Sequence, residues 1–213
     1  VILAFALPIF QANLLQLTYR LVDTRIVGSF LGEDALAAVG ATSSLSNLII
    51  GFLMGLSNGF AIITAQRFGA KDLRGVKKSF AMSLTLGIAV AAGLTVLGLL
   101  FLQPILRFLN VPENLRTMAG SYIVIIIAGL IATFLYDACA AALRALGDTI
   151  TPLVILAISV ILNIAGDLFF VVVLKTGVRG AAVSTVSAKE LSFLMFWIYM
   201  IKRYELLRLS GDD

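Results

Sequence analysis

The stretch TPLVILAISVILNIAGDLFFVVVL, residues 151–174, holds a single formal charge, Asp167. As a helix rising about 1.5 Å per residue it is long enough to cross a hydrocarbon core of roughly 30 Å. No other backbone form is open to a lone segment there, because lipid offers nothing to satisfy unpaired N–H and C=O groups. An amide and a carboxyl interrupt the run: Asn163 and Asp167 stand four residues apart and so share a face. Charge at membrane depth is costly unless it is paired, protonated or turned toward water, which makes Asp167 a functional candidate. A carboxyl in such a place can exchange a proton or, with a second carboxylate nearby, hold a cation among hard oxygen ligands.

Outward from this stretch, comparable apolar blocks lie at 3–27, 37–65, 79–106, 118–143 and 181–201. The expected fold is an all-α integral membrane bundle of six transmembrane helices forming one lobe, 1–213. The links between spans are short: a glycine-marked turn near 28–34, a charged loop at 69–78, a proline-containing link at 103–116, a tight turn at 147–152 and a basic link at 175–180. Composition agrees, since 60% of the 213 residues are hydrophobic and 13% charged, about half the charge of a soluble domain. Mean hydropathy is +1.04. Water-soluble enzymes and nucleic-acid modules are excluded on these grounds. Histidine is absent, which removes an imidazole base or ligand, and the single cysteine, Cys139, allows no intrachain disulfide.

Basic residues bias the loops. Arg67, Lys71, Arg74, Lys77, Lys78, Arg144, Lys202, Arg203 and Arg208 follow even-numbered spans, against Arg25, Arg107, Arg116, Lys175 and Arg179 after odd ones. Positive residues favour the cytoplasmic side, so both termini are expected there, and the net charge of +4 reflects topology rather than nucleic-acid binding. The chain opens at Val1 straight into a span and turns polar over 203–213, as the start of an inter-lobe linker would. A fragment of a longer protein is the expectation.

In the first span, Asn13, Gln16, Tyr19, Arg20 and Asp23 fall on roughly one third of the helix circumference, a polar stripe suited to lining a cavity. In the sixth, Thr185, Lys189 and Ser192 share a stripe from which Glu190 points away. Arg20 and Lys189 are possible charge partners for the acids; Lys189 either neutralises an Asp or snorkels. Asp137, two turns before Arg144, is compatible with a place near the membrane interface.

Several motifs occur in order along the chain: VDTRIV (22–27), ALAAVG (35–40), AQRFGAKD (65–72), LRALGDT (143–149), NIAGDLFF (163–170) and GVRGAAVSTV (177–186). Together they make the chain resemble the N-terminal six-helix lobe of multidrug and toxic compound extrusion (MATE) transporters. The resemblance implies a secondary active antiporter, not an enzyme, in a bacterial or archaeal plasma membrane. It would export small organic, often cationic compounds against inward H+ or Na+ flow, with a C-terminal lobe or a second chain completing the cavity. It further implies a cation-coupling set at Asp23, Asn163, Asp167 and Thr185, with Na+ possible at Asp23 and Asp167. The substrate cavity would include Gln16 and Tyr19 beside Asn13, and Pro8 would be a hinge in the first helix. No cofactor and no resident metal is implied. Where the family site uses a fourth-helix Asn, this chain carries Ala140, which favours protons over sodium. Competing readings are a flippase for lipid-linked saccharides, for which Arg20 and Lys189 speak, and a non-transporting membrane packing module.

Overall fold

The structure, a computed structural model, describes residues 2–204, without the side chains of 2–6, 8 and 9. The hinge expected at Pro8 and most of the linker expected at 203–213 therefore lie outside the described residues. Among the described residues all regular structure is helical: α1 (Ile2–Leu31), α2 (Glu33–Gly69), α3 (Leu73–Leu100), α4 (Leu102–Phe108), α5 (Glu113–Ala128), α6 (Leu130–Ala145), α7 (Ile150–Asp167) and α8 (Val178–Arg203). The wider π-helical turn Leu168–Val173 continues α7 directly.

Four described helices are long and apolar enough to cross a membrane, and a fifth span arises if the bent pair α5–α6 counts as one. α1 adds a thirty-residue helix. The apolar block 79–106 is not one helix: the chain breaks at Phe101, and Pro104 sits in the first turn of α4, where its missing N–H is tolerated. The block 118–143 bends by 47° at Gly129. Hydropathy does not register the bend at Gly129, because both sides of it are apolar. The first link is a single residue, Gly32, whose φ of +86° lies in the left-handed region that glycine adopts without strain.

Large apolar side chains such as Leu48 (72% exposed), Ile161 (66%) and Leu86 (52%) point outward, as lipid-facing positions do. Hydroxyls within the spans are satisfied locally: Ser57, Thr95 and Ser192 donate to the carbonyl one turn back. Inside, α7 packs on α8, and α6 packs on α2, α3 and α8. The small residues Ala138, Ala140, Ala141 and Ala142 are buried on α6, which lets its neighbours approach closely.

One end of the bundle is tied by Asp148. Its Oδ1 accepts from Thr151 N at 3.0 Å, and its Oδ2 accepts from Thr151 Oγ1 at 2.7 Å, Tyr199 OH at 3.1 Å and Tyr204 OH at 3.5 Å. The carboxylate thus caps α7 and clamps the end of α8 to it. Burial, and the charge of Asp148 beside it, push the Tyr204 phenol up. Asp148→Ala is expected to lose about 1 kcal/mol, a typical cap energy. Thermal denaturation in detergent checks this, with the midpoint falling by about 2 °C or more.

Candidate functional site

The polar residues of α1, α7 and α8 converge. α7 delivers Asn163 and Asp167 from one face, and both are buried, Asp167 completely. α8 sets Ser184 against them: its hydroxyl donates to the Asn163 backbone carbonyl at 2.8 Å. A carboxylate only accepts, so the Asn163 amide nitrogen is the group that faces it. In that orientation the nitrogen donates to Asp167 Oδ2 at 3.1 Å, and the amide oxygen accepts from Thr185 N at 3.1 Å and Thr185 Oγ1 at 3.3 Å. Gly166 permits the close approach of α7 to α8, since a Cβ there would lie 2.5 Å from Ser184 Oγ.

α1 completes the cluster. Tyr19 OH lies 3.4 Å from Thr185 Oγ1, and the Asp23 carboxyl is within hydrogen-bonding reach of Asp167. Each of these two acids keeps one oxygen, Oδ1, buried without a partner. Two carboxyl groups at such range need a proton between them or a cation bridging them, because two bare carboxylates repel. The cluster opens on a cavity of about 530 Å³. Asp23, Asn163, Thr185, Gln16, Tyr19, Arg20 and Lys189 line it, whereas the fully buried Asp167 does not. Of the two acids, a solute in the cavity therefore contacts Asp23.

Not every expected residue joins. Asn13 is exposed and lies outside the cavity lining, one turn before Gln16 on α1. Ala140 is buried in the apolar core rather than at the acids. Asp137 lines the cavity, with Oδ2 buried. α6 thus turns it toward the inside of the bundle. Ser184 and Tyr122 were absent from the expectations. Ser184 sits beside Thr185 in the stretch 177–186, but alternation of small and hydroxyl residues there reads as packing. Tyr122, a lone aromatic hydroxyl in an aliphatic run, was the only signal α5 offered. Among the described residues no group of three His, Cys, Asp or Glu side chains gathers as a metal site.

The MatE family model matches residues 8–169. The protein named "Probable multidrug resistance protein YoeA" from Bacillus subtilis (strain 168) is 35% identical over 205 residues, covering 93% of this chain and 44% of that protein. "Probable multidrug resistance protein YpnP" from the same organism is 32% identical over 198 residues, again covering 93% and 44%. Among solved structures, MATE in the bent conformation superposes with a TM-score of 0.90 at 26% identity, over 100% of this chain and 47% of that one. The chain thus spans about 44% of the length of these curated relatives.

Proposed function

From the premise that this chain belongs to the MATE family of membrane transporters, we propose that it forms the N-terminal lobe of a cation-coupled antiporter that exports amphipathic, often cationic organic compounds. In this proposal Asp23, Asn163, Asp167 and Thr185 couple transport to the ion, and Gln16 and Tyr19 contact the exported compound. A C-terminal lobe closes the cavity, both termini face the cytoplasm, and the membrane is a bacterial or archaeal plasma membrane.

The observation that carries the proposal is the meeting of Asp23 and Asp167 within hydrogen-bonding reach at the edge of a cavity large enough for a small organic molecule. Protonating the pair removes charge from the cavity wall and frees the α1–α7 contact to rearrange. The coupling ion we assign is the proton. The amide oxygen of Asn163 is already engaged by Thr185, and its nitrogen by Asp167. A sodium ion would require that amide to turn its oxygen inward and give up those bonds, and Ala140 offers no replacement ligand.

The test uses the full-length protein in proteoliposomes. Ethidium efflux driven by an imposed proton gradient is expected to proceed equally with and without sodium. Efflux that follows a sodium gradient at fixed pH, and ignores the proton gradient, overturns the proton assignment.

A further inference from the structure

Along α6 and α8 the same cavity holds a second group of charged and aromatic side chains that the ion site does not use. Asp137 lines the cavity, and its Oδ2 is buried with no hydrogen-bond partner. The Tyr136 ring, next in the chain and also lining the cavity, is buried and carries the Lys189 ammonium 5.1 Å from its centroid. Lys189 and Arg144 are the cations that act on Asp137. Neither closes an ion pair with it within 4.0 Å among the described residues, and Arg144 instead donates to Asn58 Oδ1 at 3.3 Å. An aromatic face beside an unpartnered carboxylate is the chemistry that recognises an organic ammonium. Here a tethered ammonium, that of Lys189, already occupies the aromatic face.

We propose that Tyr136 and Asp137 form a subsite for the cationic head of the exported compound, and that Lys189 is its internal competitor. In the empty cavity Lys189 covers the Tyr136 ring and offsets the charge of Asp137. An incoming organic cation takes both contacts, and Lys189 swings toward the open cavity. A compound without positive charge has nothing to offer in exchange for Lys189. The cavity therefore selects for charge at a point one helical turn beyond Thr185, separate from the coupling acids.

This assignment rests on the export function proposed above, but it is tested by equilibrium binding with no gradient imposed. Ethidium binding to the purified full-length protein is followed by fluorescence polarisation, with anionic fluorescein as control. Asp137→Asn is expected to weaken ethidium binding about tenfold, whereas Lys189→Met is expected to strengthen it about tenfold. The opposite signs are the signature, because a salt bridge serving only to hold α6 to α8 would make both variants bind worse. Tyr136→Phe keeps the ring face and should bind as the parent does, while Tyr136→Leu should bind more weakly; this pair decides the matter if Lys189→Met does not fold. Parent protein that binds ethidium equally in every variant overturns the subsite alone. Parent protein that binds no organic cation overturns the export function, and the subsite with it.

Discussion

Asp167→Asn in the full-length protein is expected to lower proton-driven ethidium efflux by at least about a hundredfold while leaving the protein folded. The substitution is nearly isosteric, so the close approach of α7 to α8 across Gly166 and Ser184 is kept. The Asn163 nitrogen still finds an oxygen to donate to at 167, as it does at 3.1 Å now. What disappears is the ability to bind and release a proton. Removing a buried charge should leave thermal stability equal or higher, since an ionised carboxylate out of water is a liability to the fold. Asp23→Asn should give the same loss, and the double variant no greater one, because in the proposed coupling the two carboxyls act as a unit on one proton. The measurement is efflux from proteoliposomes under an imposed proton gradient, beside equilibrium binding of the same dye. Binding should stay within about threefold of the parent, since Asp167 does not line the cavity. Both single variants transporting at the parent rate would remove the coupling role from these residues.

The elements of this site were unequally legible in the sequence. Asn163 and Asp167 stood out because a carboxyl and an amide at i and i+4 have no innocent place in an otherwise aliphatic span. Asp23 was found by helical periodicity, since Gln16 and Tyr19 lie on its stripe and do line the cavity. Asn13, on the same stripe, stands outside the lining of this cavity, because periodicity gives the face of a helix but not where along it a cavity ends. The place of Asp137 on the cavity wall follows from the bend at Gly129 and the packing of α6 on α2 and α8, which no local pattern encodes. The π-turn after Asp167 was equally silent. Leu168–Val173 is uniformly apolar, so nothing in its side chains distinguishes a widened turn from an ordinary one. Such turns often occur at functional positions, and this one begins at the residue following the buried acid.

Packing supplies the other large effect. Gly87 is buried on α3, and a Cβ built there falls inside the ring of Phe134, which has no exposed surface. Phe134 cannot retreat, because it is enclosed by the same core that buries Leu84, Ala91 and Ala138. Gly87→Ala should therefore force α3 away from α6 at a cost of about 3 kcal/mol, the upper end for an overpacked core, although alanine favours the helix. Gly93→Ala, two turns along the same helix with nothing within 4 Å of the new Cβ, should be neutral or slightly stabilising. Thermal unfolding in detergent, followed by monodispersity on size-exclusion chromatography, reads the contrast: a midpoint lower by about 5 °C or more for Gly87→Ala and unchanged or raised for Gly93→Ala. The decisive variant is Gly87→Ala combined with Phe134→Leu. If the ring is the obstacle, the smaller side chain restores part of the lost stability, and the double variant is more stable than the sum of the two single losses. Strict additivity would mean that Gly87 is needed for some property of α3 other than the approach of Phe134. Because Phe134 lies two and three residues before Tyr136 and Asp137 on α6, any Gly87→Ala protein that still folds should also bind ethidium less well, through displacement of the wall that those two residues form.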